Sequence, residues 1–351
     1  MDKLKSERFK ITDSLDEINS LFCEKRWSDG LPIIPPTEER VLKMLEGASH
    51  EASDIIGLIP PLQAELSVED IAINAVMAGC IPAYMPVIIT SIEAMLDPKF
   101  NLVGLQATTN PAAPLIIVNG PLAQELRINY GTGCFGPGWR ANATIGRAVR
   151  LILWNVGGGI AGEGDMATHG RPSKYTYCIA ENEDDSPWES LHVERGFDKQ
   201  VSTVTVFGCD TPHGINDHVS KTALQLLSTM THTIATVGSG QAYASSDELF
   251  LIVCPEHAAT IAGEGFSKND VKRFIYENAR IPHGILKDRG AYGMTTGKWP
   301  RWFNTLDDNA LIPMVQDWEK VVVIVAGGIG KHSCWLPTFI CQSITREISP
   351  E

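Results

Sequence analysis

Glu181 and Glu183 close a strand-like run, KYTYCIAENE at 174–183, and His192 and Glu194 follow shortly after in SPWESLHVERG. Carboxylates at a strand end beside an imidazole can exchange a proton with a substrate once burial lifts one of them toward neutrality. Tyr175, Tyr177 and Ile179 fall on one face of this strand and Cys178 on the other, where a thiol is either a nucleophile or a core residue. Asp184 and Asp185 extend the acidic run and read as a solvated loop.

A second cluster, GCDTPHGINDH at 208–218, follows the β-branched run STVTVFG and brings Asp210, His213, Asp217 and His218 together. His213, Asp217 and His218 offer two imidazoles and a carboxylate, a donor set for zinc or iron, although their spacing matches no standard metal motif. The same groups can do acid–base work without a metal, and Asp217 can instead cap the next helix. Glu256 and His257 after LFLIVCP, and Asp165 with His169 in GEGDMATHG, repeat the pairing of acid and histidine. That repetition is the argument for a shared cleft.

The third stretch, GTGCFGPGWRANATIGR at 131–147, sets Gly131, Gly133, Gly136 and Gly138 before a helix that carries Arg140, Asn142 and Arg147. Amides turned inward by glycines, the positive end of a helix and forked guanidinium donors make an expected grip on a carboxylate or phosphate. The competing reading is a tight turn whose arginines pair with acids. Lys331, His332 and Ser333, in GGIGKHS, end another strand and are candidates for the same binding task. GTGCFG and GGGIAG satisfy G-x-G-x-x-G, but neither stands between a strand and a helix, and GGIGKHS lacks the P-loop spacing. NAD and nucleotides are therefore not expected.

Eight cysteines are scattered with no C-x-x-C, which fits neither a zinc ribbon nor a disulfide framework and points to a reducing cytoplasm. No G-x-S-x-G elbow is present. The net charge of −13 argues against nucleic acid or an anionic membrane as a partner. The first residues are charged and read as no secretory leader, and the uncharged run 71–92 is broken by Asn74, Gly79, Pro82 and Pro86.

These groups must be held by elements. Ser14/Glu17, Ser67/Asp70 and Ser267/Asp270 mark helix starts, and PLIIVNG, STVTVFG, LFLIVCP and KVVVIVAGG are apolar strands between helices. The pattern predicts an α/β fold with mixed or mostly parallel sheets and helices on both faces. An offset of 135 residues lays Gln106, Ala107, Ile117, Val118 and Ala123 on Gln241, Ala242, Ile252, Val253 and Ala258, which raises two pseudo-symmetric halves with a cleft between them. The expected division is a helical extension over 1–60, a first half with the glycine loop over 61–195 and a second half over 196–351.

The segments GLQATTNPAAPLIIVNGP, GPGWRANATIGRA, DMATHGRPSKYTYCIAENE, PHGINDH and AGGIGKHS together resemble a family related to the N-terminal region of UGSC-type (seleno)proteins, over about residues 60 to 345. Some members of that family carry a small selenocysteine-Gly-Ser-Cys or Cys-Gly-Ser-Cys domain. This sequence contains no C-G-S-C, so the resemblance implies a separate small redox partner and reductive bond cleavage.

The expected function is an enzyme acting on a small anionic, carboxylate-bearing substrate in the cleft, within a homo-oligomer. Gly136, Gly138, Arg140, Asn142, Arg147, Lys331, His332 and Ser333 would bind it, and His213, His218, Glu181, Glu183, His192 and Cys178 would do the chemistry. The alternatives are a metal-dependent hydrolase, hydratase or lyase built on His213, Asp217 and His218, and a non-catalytic binding subunit.

Overall fold

Two of the three expected helix starts are capping boxes: Ser67 and Asp70 exchange hydrogen bonds at the head of the Val68–Ala78 helix, and Ser267 and Asp270 do so for Lys268–Asn278. Ser14 caps Leu15–Glu24 through its hydroxyl alone. The computed structural model describes residues 4–244, 248–287 and 307–349.

Twelve strands are found among the described residues: β1 Ile55–Ile59, β2 Ala64–Ser67, β3 Ala113–Asn119, β4 Cys178–Ala180, β5 Thr203–Cys209, β6 His213–Asn216, β7 Leu249–Val253, β8 Arg280–Pro282, β9 Leu311–Pro313, β10 Val321–Val325, β11 His332–Leu336 and β12 Ile344–Glu347. They form two four-stranded sheets, ordered β12-β5-β3-β4 and β10-β7-β11-β6, and two small antiparallel pairs, β1-β2 and β8-β9. The fold is α/β with mixed sheets.

Alternation along the strands explains the layering. In the first sheet Ile116, Val118, Cys178, Ala180, Val204 and Val206 share one core with helices Val68–Ala78, Met85–Met95 and Arg140–Asn155. In the second, Leu249, Leu251, Val253, Val321 and Val323 pack on Ala223–Ile234, Pro255–Gly263 and Lys268–Asn278. The intervening residues of both sheets, Leu115, Ile117, Ile179 and Phe207 with Phe250, Ile252, Val322 and Ile324, form a third core between them. Phe207 stacks on Phe250 with centroids 4.3 Å apart and planes 2° from parallel. Helices thus cover one face of each sheet, and the other sheet covers the second face, which is why these strands are apolar on both sides.

Both sheets repeat one order of strand directions. β3 is parallel to β4 and antiparallel to β5, which is antiparallel to β12. β7 is parallel to β10 and antiparallel to β11, which is antiparallel to β6. The fourth strand of each set comes from the other part of the chain, since β6 follows β5 in sequence but pairs with β11, and β12 follows β11 but pairs with β5. The 135-residue offset lays the middle of β3 on β7, and Asn119 on Cys254.

No single helix among the described residues is long and apolar enough to cross a membrane. The uncharged run 71–92 divides between Val68–Ala78 and a segment starting at Pro82, bent by 119° from one another, and most of its residues lie in the first core.

Candidate active site at the ends of two parallel strands

The carboxyl ends of β3 and β4 carry the densest polar chemistry. Asn119 ends β3 and Glu181 follows β4 by one residue, so their parallel pairing sets the two side by side. Asn119 Nδ2 donates to Glu181 Oε2 at 2.6 Å and to Glu183 Oε1 at 3.1 Å. The Leu191 amide adds a 2.8 Å bond to Glu181 Oε2, and the Gly120 amide a 2.8 Å bond to Glu183 Oε1. Gly120 has φ +85°, and a Cβ there would lie 2.5 Å from the Val201 carbonyl oxygen, so only glycine presents its amide to Glu183 from this turn.

Glu181 is 2% exposed, and its Oε1 has no partner among the described residues. Burial is the dominant influence on it; Lys268, the Leu191 amide and Asn119 oppose it, and the carboxyl is pushed up to about 7. His192, fully buried, bonds Ser190 Oγ at 3.0 Å and stands 4.0 Å from Glu183. A pocket of about 190 Å³ opens here, lined by Gly120, Gln124, Tyr130, Glu181, Glu183, Asp184 and Lys199 among others. Tyr130 donates its phenol to Asp184 at 2.7 Å, which fixes the rim. The structure therefore brings Glu181, Glu183 and His192 together. Asn119 is the residue that the sequence reading overlooked; its signal was a polar side chain ending an otherwise apolar strand.

The expected anion grip is spent on protein groups. Arg140 donates to the Gly79 carbonyl at 3.1 and 2.9 Å and so closes the end of the Val68–Ala78 helix. Arg147 makes a two-pronged ion pair with Asp29, at 2.9 and 2.8 Å, which fastens the N-terminal segment. Asn142 is buried, accepts the Asn129 amide and donates to the Asn129 and Cys134 carbonyls, so it braces the glycine loop from beneath. The Gly136 amide bonds Gly133, and Gly138 is exposed with φ +110°. These residues do not line the pocket that Glu181 lines.

The histidine cluster is also divided. His213 is exposed and packs against Trp335, and His218 meets His332 with Nε2 atoms 3.3 Å apart. Asp217 turns its carboxylate to Thr229 Oγ1, to Ser220 Oγ and to the Val219 and Ser220 amides, which hold it well below the usual carboxylate range. With its oxygens so occupied, Asp217 shares no metal site with His213 and His218, and among the described residues no group of three or more His, Cys, Asp or Glu is placed to hold a metal ion. Cys178 faces the helix core, where burial pushes its thiol far up. Lys331 is half-buried, and Ser333 is buried against Cys254 and His257 in the other sheet.

No family model, no curated protein and no solved structure matches this chain.

Proposed function

We propose that the chain is an enzyme that moves a proton on a small polar molecule bound at the ends of β3 and β4, with Glu181 as the general acid–base. The observation that carries this is the state of Glu181: buried, tied through one oxygen, without a partner among the described residues at the other, and set near neutrality in a pocket wall. A carboxyl poised there can give or take a proton at physiological pH, while a tethered partner oxygen keeps its orientation. Asn119 and the Leu191 amide are the tethers, and Glu183 with Asp184 and Lys199 select the guest.

The lining sets Glu181, Glu183 and Asp184 against the ammonium of Lys199. Such a surface favours an amine or a neutral polar group over the carboxylate-bearing substrate expected from the glycine loop. A lyase, hydratase or hydrolase reaction fits a site of this kind. The reductive reading implied by the resemblance to UGSC-type proteins, with a separate Cys-Gly-Ser-Cys or selenocysteine partner, is the second proposal, and the hydrogen-bonded thiol of Cys254 favours it.

Thermal unfolding against panels of small amines, amides and carboxylic acids tests the first proposal. A true ligand at a hundredfold excess over its dissociation constant adds about 2.7 kcal/mol of stability. Amines or amides should stabilise the wild type and lose that effect in Glu183→Gln. Glu181→Gln should keep binding but stop exchange of a ligand proton with solvent deuterium. Stabilisation by carboxylic acids alone, or exchange that persists in Glu181→Gln, overturns the proposal.

A further inference from the structure

The second sheet carries its own chain of exchangeable protons at the matching place. Cys254 follows β7 by one residue and is the N-cap of the Pro255–Gly263 helix, whose first turn holds His257. β11 runs antiparallel to β7, with Cys334 opposite Ile252, so Ser333 falls at the end of β7, where its hydroxyl reaches Cys254. Ser333 Oγ lies 3.5 Å from Cys254 Sγ, 3.0 Å from the Cys254 amide and 2.8 Å from His257 Nδ1. His257 Nε2 lies 3.1 Å from the Asp217 carbonyl oxygen. All three side chains are buried.

The tautomer follows from the acceptors. A carbonyl oxygen only accepts, so His257 Nε2 carries a hydrogen and Nδ1 of the neutral ring is an acceptor. In the neutral state Ser333 gives its one hydrogen to His257 Nδ1, whereas the 3.5 Å bond in which Ser333 Oγ donates to Cys254 Sγ belongs to the state reached once the thiol proton has moved toward the ring. Transfer of both protons along the chain, from Sγ to Oγ and from Oγ to Nδ1, gives a thiolate and an imidazolium. Ser333 then donates to the sulfur and His257 to Ser333. Every heavy-atom contact survives the transfer.

We infer that Cys254 is a nucleophilic centre activated by His257 through the Ser333 hydroxyl, separate from the Glu181 pocket and suited to soft electrophiles. Its substrate class is a small molecule with an electrophilic carbon. The thiolate forms the carbon–sulfur bond with its electron pair, and the leaving group departs with the pair of the bond it loses. His257 is a positioning and proton-holding residue, and its Nε2 contact fixes the ring.

The electrostatics agree with the geometry. Burial works to raise the Cys254 thiol, but the hydrogen bonds of His257 and Ser333 outweigh it and hold the thiol below its ordinary value. Burial works to lower His257, and its interactions with Cys254 and Asp217 outweigh that, leaving it raised. The other titratable groups coupled to this thiol are on neighbouring elements: Cys334 on β11, which is itself coupled to Cys134 of the glycine loop. Burial lifts both Cys334 and Cys134, so they stay protonated and do not compete with Cys254.

Alkylation of the native chain by iodoacetamide, followed by peptide mapping between pH 5 and 9, tests this, with exposed Cys23 as the control for reagent activity. Cys254 should be labelled ahead of Cys178 and Cys334, with a half-point below that of a free thiol. Ser333→Ala and His257→Asn should each slow labelling of Cys254 at pH 7 about tenfold or more, and Ser333→Thr, which restores the hydroxyl, should recover it. Circular dichroism identifies any variant that fails to fold, and the other variants then decide. Labelling of Cys254 only after unfolding, or a pH profile unmoved in the folded Ser333→Ala and His257→Asn proteins, overturns the inference. Neither result bears on the amine and carboxylate panels that test the Glu181 pocket.

Discussion

A single amide nitrogen, Asn119 Nδ2, donates to two carboxylates, Glu181 at 2.6 Å and Glu183 at 3.1 Å. Among the described residues it is the only side-chain donor to the buried Glu181 oxygen, which otherwise has the Leu191 amide. Asn119→Ala therefore leaves a buried carboxyl with half its support. We expect a loss of about 1–3 kcal/mol in urea unfolding, the cost of stranding a buried polar group. An unchanged midpoint would show that the carboxylate pair stands without Asn119.

Glu181 also makes a signed prediction for pH. Its folded value, about 7, is above the roughly 4.3 of a glutamate in an unfolded chain. Between these values the folded state binds more protons than the unfolded state, so stability falls as pH rises from about 4.3 to about 7 and is level on either side. Glu181→Gln removes this titration. Urea midpoints measured from pH 4 to 8 should decline in the wild type relative to the variant across that window, and parallel curves would contradict the assigned burial effect.

Gly328 follows β10 where the glycine loop crosses it. A Cβ at this position would overlap Thr132 Oγ1 and lie 2.8 Å from Thr132 Cα. Gly328→Ala must push the 131–136 loop outward or strain β10, at about 1–3 kcal/mol. Limited proteolysis should then cut the loop faster than in the wild type. Gly214, which meets nothing within 4 Å among the described residues, supplies the control substitution.

The stacking of Phe207 on Phe250 joins the two sheets. Truncating either ring opens a cavity in the core between the sheets, at about 3–5 kcal/mol for Phe207→Ala. Thermal unfolding followed in parallel by near-ultraviolet and far-ultraviolet dichroism will show the loss. A change below about 1 kcal/mol would mean that the sheets hold together through their other side chains.

The neighbourhood of the candidate site was partly legible in the sequence. Glu181, Glu183 and His192 are close in the chain and lie at a strand end, so a local reading could group them. Asn119 could not be added to that group without knowing that β3 pairs with β4 in parallel, which places two strand ends of distant sequence side by side. Arg140 and Arg147 misled for the complementary reason. A guanidinium after a glycine run has the right chemistry for an anion, yet the Gly79 carbonyl and the Asp29 carboxylate stand within reach once the helices pack, and take its donors.

The sequence by itself determined the α/β class, the capped starts of the Val68–Ala78 and Lys268–Asn278 helices and the strands that are apolar on both faces, because capping and periodicity act over a few neighbouring residues. Only the tertiary structure decided that each sheet covers the other and that β6 and β12 pair with strands from the other part of the chain. It alone set Ser333 on Cys254 and His257, 79 and 76 residues away. Such contacts depend on strand register and sheet packing, which are settled by the summed burial of whole faces and leave no signature in any short stretch of chain.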